Sequence, residues 1–237
     1  MIDEIENRQN AATGIDDFEA AWRAALQQMS PTLDLIEALI GLTRLGEHRV
    51  ESQRLAKVLG LSVSEAEELA LQHGWPGVQV QNGLISLNPE RAQVATRRQL
   101  RVGGRRFGFS GCAPDLLIYA AVLGPSLQVD DTCPATGKAI HVDFTPRGVE
   151  RVDPVETVVA LLNPQWLDLS VFQEDRGIDK IDADFCVQQP FFASYDAARG
   201  WLADHPGGRV FPVREAWDLS FFNERRDALR SLLSIER

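Results

Sequence analysis

The chain has 237 residues, 44% hydrophobic and 24% charged, with a net charge of −10 and a pI near 4.9. That size suits one large domain or a small domain beside a medium one, and the composition is that of an ordinary globular protein. The acidic balance argues against nucleic acid as a main partner, since that binding rests on neutralising phosphates, and no apolar run approaches the roughly 20 residues of a membrane span.

Residues 16–28 set Phe18, Ala21, Trp22, Ala25 and Leu26 on one helical stripe. Ser30-Pro31 opens a second helix, because proline is tolerated in a first turn, and Leu33, Ile36, Leu39, Ile40 and Leu42 supply its apolar face. A third helix is predicted from Ser52 to Leu59, ending at Gly60, and a fourth over 62–73, starting with the capping-box pattern Ser62-Val63-Ser64-Glu65. Alternating runs at 78–81 and 84–87, joined by Asn82-Gly83, predict a tight hairpin. Helices closed by a hairpin resemble a winged helix. The helix in the recognition place carries Glu65, Glu67 and Glu68 and no Lys or Arg, so a structural or lid-like role fits better than phosphate contact.

Six arginines fall within 91–106 around Gly103-Gly104. One reading is a solvated linker and hairpin; another is positive charge that favours a thiolate at nearby Cys112. Beyond Phe107 strand signals dominate, as at 139–144 and 187–193, with helices expected at 114–123, 155–162, 196–203 and 219–234. Strands and helices do not alternate as in a doubly wound sheet, so the expected class is α+β. Three units follow: an N-terminal helical extension (1–29), a winged-helix-like module (30–95), and a mixed or antiparallel sheet domain with flanking helices (96–237).

The acidic start Met1-Ile2-Asp3-Glu4-Ile5-Glu6 lacks the basic-then-apolar form of a signal peptide. Three cysteines without a C-x-x-C pair fit a reducing compartment, so a cytoplasmic location is expected. Cys112 and Asp115 stand three apart in Gly111-Cys112-Ala113-Pro114-Asp115, at the start of a predicted helix. There the free N–H groups favour a thiolate, and the two side chains share a face. The same pair also reads as a first-turn acid beside a small buried cysteine. Cys186, among Phe185, Val187, Phe191 and Phe192, reads by itself as a core residue in a strand, and Cys133 as structural at a turn.

The histidines His48, His73, His141 and His205 are scattered, which argues against zinc; Ser110 lacks a nucleophile-elbow context. Taken together, two thiols select a soft metal and one carboxyl can carry a proton, which suggests chemistry at a metal–carbon bond.

The stretch Phe109-Ser110-Gly111-Cys112-Ala113-Pro114-Asp115 resembles the first active-site motif of the organomercurial (alkylmercury) lyases. Thr132-Cys133-Pro134-Ala135-Thr136-Gly137 is similar to that family's Cys-Ala-Ala-Thr-Gly turn. Phe185-Cys186 with Phe191-Phe192-Ala193-Ser194 resembles its second-cysteine motif, and Val213-Arg214-Glu215-Ala216 its Val-His-Glu-Ala. The four occur in the family's order. The resemblance implies a carbon–mercury lyase in which Cys112 and Cys186 bind mercury, Asp115 shuttles the proton and Cys133 is structural. It implies no organic cofactor, an organomercurial substrate, low-molecular-weight thiols to remove Hg(II), and a mercuric reductase as acceptor.

The chain departs from the family at Phe109 (commonly Tyr), Gly111 (Trp), Val187 (Cys) and Gln188 (His). The stretch between Pro164 and Cys186 is also longer and acidic, with Asp168, Glu174, Asp175, Asp179, Asp182 and Asp184. These changes alter the pocket wall and leave the organic group open. A thiophilic-metal trap for mercury or copper without turnover, and a metal-responsive DNA-binding regulator, are the competing readings. Linear two-thiolate mercury requires the sulfurs about 4–5 Å apart.

Overall fold

The computed structural model describes residues 2–30, 32–43, 49–73, 78–86, 98–109, 111–172 and 185–234. His48, Leu87, Ser110, the arginines before Arg98 and the acidic residues of 173–184 lie outside them. Helix α1 (Ile2–Met29) brings Phe18, Trp22, Ala25 and Met29 to successive turns of one face, and all four are buried. Trp22 stacks on Phe221 at 5.6 Å. Helix α2 (Thr32–Thr43) is buried along its whole length apart from Asp34. A helix apolar on all sides needs neighbours on all sides, and α2 stands between two cores. Leu33, Ile36 and Ile40 enter the larger one, and Leu35, Ala38, Leu39 and Leu42 the smaller.

The smaller core is closed by β1 (Arg49–Glu51), α3 (Ser52–Leu59), α4 (Val63–His73), β2 (Gln79–Gln81) and β3 (Leu84–Ser86). Its antiparallel sheet has the order β1-β3-β2. The Ser62 amide donates to the Glu65 carboxylate at 2.8 Å, and the Glu65 amide to the Ser62 hydroxyl at 3.3 Å, completing the capping box. Asn82 and Gly83 both take positive φ, 52° and 73°, as the tight hairpin turn requires.

The larger core lies under an antiparallel sheet of β4 (Arg98–Val102), β5 (Arg105–Phe109), β6 (Leu127–Thr132), β7 (Ala139–Thr145) and β8 (Gly148–Asp153), in the order β5-β4-β6-β7-β8. Leu100, Val102, Leu127, Val129, Val142 and Phe144 alternate into it. A second antiparallel sheet sets β9 (Val158–Leu161) between β10 (Phe191–Phe192) and β11 (Arg209–Pro212). Helices α5 (Ala113–Tyr119), α6 (Arg199–Asp204), α7 (Val213–Trp217) and α8 (Ser220–Ser234) flank the sheets. The expected α+β class, with antiparallel sheet and flanking helices, is what is observed. Among the described residues no helix is long and apolar enough to cross a membrane.

Three local expectations are corrected. The helix expected over 155–162 is strand β9, and β1 and α7 were not anticipated. The run Val158-Val159-Ala160-Leu161 is buried on both faces, so it has no periodicity to separate strand from helix; pairing on both sides decides. The strand expected over 187–193 shrinks to Phe191–Phe192, and Cys186 sits in a helical turn before it, because Pro190 offers no N–H for a ladder. Helix α5 ends at Tyr119, not 123; the amides of Ala121 and Val122 reach back three residues and tighten the chain toward Gly124.

Arg225 of α8 ties α2 to the larger core through Asp34 (2.6 Å) and the buried Glu37 (2.7 Å). Burial pushes Glu37 up to about 7 against the pull of Arg225, and the charges of Asp34 and Asp115 push the same way. A carboxyl raised in the folded state contributes stability below its unfolded value near 4.5, and that contribution is lost as pH rises toward 7. The stability of the parent relative to Glu37→Gln should therefore fall by roughly 3 kcal/mol between pH 4.5 and 8, read from denaturant midpoints.

Candidate active site: two thiols and a carboxyl

Cys112 is the N-cap of α5, extended at φ −72° and ψ 163°, with Pro114 in the first turn. Its sulfur accepts the Asp115 backbone N–H, while the Asp115 carboxylate accepts the Cys112 amide at 2.9 Å. This is a capping box with Cys and Asp in place of the usual Ser or Thr and Glu or Gln. It leaves a sulfur and a carboxyl held at the same helix end.

Cys186 approaches from a turn whose Gln189 amide donates to the Cys186 carbonyl at 3.3 Å. The Ala113 amide at the start of α5 donates to the Gln189 carbonyl at 3.0 Å, so the two cysteine segments are joined directly. The Gln189 side-chain oxygen accepts the Leu162 amide (3.1 Å), and the Pro190 carbonyl the Ala160 amide (3.0 Å), fastening the turn to β9. On its outer side Trp201 donates to the Gln188 carbonyl at 2.7 Å and stacks on His205 at 4.4 Å; His205 Nε2 stands 3.2 Å from the Gln188 side-chain oxygen. Val187, by contrast, is largely exposed.

The ligand atoms of Cys112, Asp115 and Cys186 all lie within 4.8 Å of one another, with both cysteines buried and Asp115 half-buried. Two sulfurs at that separation can hold a two-coordinate soft cation, with the carboxyl beside it. Cys133 is not part of the group. It is buried in the turn between β6 and β7, where its amide donates to the Lys138 carbonyl at 2.8 Å. Burial pushes its thiol up, but hydrogen bonds from the Thr136 hydroxyl and from the Ala193, Ala135 and Thr136 amides bring it below the usual value.

The thiolate expected at Cys112 is corrected. Burial, then hydrogen bonding to Cys186, then the charge of Asp115 push its thiol well above the usual range, outweighing the helix terminus. Tyr119, one turn beyond Asp115, is pushed up by burial and then by the charges of Asp115, Glu37, Cys112 and Cys186, so it stays a neutral phenol. Tyr119 meets the half-buried Phe109 ring edge-on at 6.2 Å. A Cβ at Gly111 would stand 2.5 Å from Phe109 Cζ and 2.7 Å from Asp115 Oδ2, so ring and carboxylate fill the space a side chain there would need.

Among the described members of the arginine cluster, Arg98 points inward and Arg101, Arg105 and Arg106 are exposed. Arg98 Nε donates to Asp131 at 2.8 Å, its Nη1 donates to the Gly111 carbonyl, and its guanidinium lies 5.5 Å from the Phe191 ring centroid. Nothing in the sequence singled out Arg98, Gln189 or Tyr119, because each is distinguished by what it touches rather than by a local pattern.

The family model for alkylmercury lyase matches residues 92–221. An alkylmercury lyase of Bacillus cereus is 25% identical over 221 residues, spanning 92% of this chain and 87% of its own length. One of Pseudomonas putida is 33% identical over 176 residues, 68% of this chain and 76% of that protein. Among solved structures, the crystal structure of the mercury-bound form of MerB2 shares the fold with a TM-score of 0.53 at 19% identity, covering 90% of this chain and 98% of that one.

Because Cys112 is held as a thiol, binding one Hg(II) at pH 7 should release at least one proton, read from the buffer dependence of the calorimetric heat. Gly111→Ala should displace the Asp115 carboxylate. The three clashing atoms lie at the tips of the Phe109 ring and the Asp115 carboxylate, which can shift outward, so the cost falls on chemistry more than on folding: about tenfold or more in turnover with a small change in melting temperature.

Proposed function

The chain belongs to the alkylmercury lyase family, and from that footing we propose that it cleaves the carbon–mercury bond of organomercurials by protonolysis, yielding a hydrocarbon and Hg(II). The observation that carries this reading is the convergence of Cys112, Asp115 and Cys186 within 4.8 Å. The substrate arrives as R–Hg bound to a small thiol. Cys112 exchanges onto mercury, and its proton leaves with the displaced thiol. Cys186 then passes its proton to the Asp115 carboxylate and bonds to mercury as the thiolate. Two sulfur donors raise the electron density on the metal and weaken the Hg–C bond. Asp115 delivers its proton to carbon, the Hg–C electron pair becomes the new C–H bond, and Hg(II) stays on both sulfurs. Asp115 is half-buried against two buried thiols, a place that supports proton transfer to carbon rather than to water.

The same proposal needs no organic cofactor. Low-molecular-weight thiols in the cytoplasm would remove Hg(II), with a mercuric reductase as its acceptor. It divides the chain into a helical extension (1–29), a winged-helix-like module (30–95) with a structural role, and a lyase-like domain (96–237). The acidic α4 supports the structural role.

Purified protein incubated with phenylmercury and excess thiol should release benzene, measured by headspace gas chromatography against a thiol-only control. Cys112→Ser and Cys186→Ser should each lower the rate about 100-fold or more, and Asp115→Ala should keep Hg(II) binding while losing a similar factor in turnover. Stoichiometric Hg(II) or Cu(I) binding without benzene would instead favour the trap reading.

A further inference from the structure

We infer that the buried Arg98–Asp131 pair is a positioning device that sets the Cys112 sulfur against Cys186 by gripping the Gly111 carbonyl and packing on Phe191; this rests on the lyase reading of the trio. The two side chains are 5% and 0% exposed. Taking both charges out of water is costly, and an apolar pair of similar volume commonly serves stability as well. Stability alone therefore gives little reason for such a pair to lie here.

Its geometry does. One edge of the guanidinium donates to Asp131 at 2.8 Å and the other to Gly111, the residue before Cys112. Gly111 has no side chain to pack, so its carbonyl is the handle by which the loop can be held. The guanidinium face lies 5.5 Å from Phe191, in β10, just beyond the turn that carries Cys186. A single side chain thus holds the residue before Cys112 and lies over the strand that follows the Cys186 turn. Its anchor is the five-stranded sheet: Arg98 belongs to β4 and Asp131 to β6, where the Asp131 carboxylate also accepts the Thr132 amide at 2.7 Å.

Asp131 matches the charge of Arg98, so the pair acts on Cys112 through position rather than through a net field. A lysine could keep Asp131 company but, as a point charge, could not reproduce the fork that also holds the carbonyl.

The test uses the full chain carrying Arg98→Met with Asp131→Leu, which removes both charges and leaves neither orphaned. The expected result is a melting temperature near the parent's, a shifted ultraviolet charge-transfer band for bound Hg(II), and kcat for phenylmercury cleavage lowered tenfold or more with KM little changed. Arg98→Lys provides the same readouts should the double variant fold poorly, with the same direction expected. A folded variant that keeps the parental charge-transfer band overturns the inference, whatever its turnover. The band needs only Hg(II) binding, so it decides this point even where the parent releases no benzene, a result that would count against the lyase reading instead.

Discussion

Two sulfurs and a carboxyl can be held within 4.8 Å in a largely buried place only while little negative charge collects there, because like charges at that range repel strongly in a low dielectric. The surroundings of the trio follow from this constraint. The Cys112 thiol is pushed up, Tyr119 is kept a phenol, and even Glu37 on α2 responds to the Asp115 charge. Hydrogen bonds to the backbone hold the trio in place: the Cys–Asp capping box on one side, the Ala113–Gln189 contact on the other. An incoming soft cation reverses the balance, since it stabilises the thiolates that burial alone disfavours.

Holding two thiols beside one carboxylate demands a rigid frame, and distant parts of the chain supply it. Trp22 of α1 meets Phe185 edge-on at 6.0 Å, and Phe172 meets the same ring at 6.1 Å, so the turn bearing Cys186 is packed from the N-terminal side. Helix α2 divides its apolar surface between both cores, which couples the small β1-β3-β2 sheet to the part that carries the thiols. The five-stranded sheet contributes through Arg98 and Asp131.

Much of the fold was legible where the signal was local. The Ser62–Glu65 box, the Asn82-Gly83 turn and the Trp22 stripe each depend on residues within a few positions of one another, and each is found in place. Reading failed where burial removed the pattern. Strand β9 is apolar on both faces, and only its pairing with β10 and β11 distinguishes it from a helix. The expected thiolate at Cys112 failed for a related reason: a helix terminus is visible in sequence, but the depth at which it is buried is not.

The sequence by itself determined the candidate chemistry: two thiols and one acid in motifs that match a family, with Cys112 and Asp115 already on one helix end, because three-residue spacing and a first-turn proline are local facts. Only the tertiary structure decided that Cys186 meets them, that Arg98 is the inward arginine, and that Cys112 rests as a thiol. Those outcomes depend on long-range hydrogen bonds and on burial, which arise when separate segments pack and which no local period encodes.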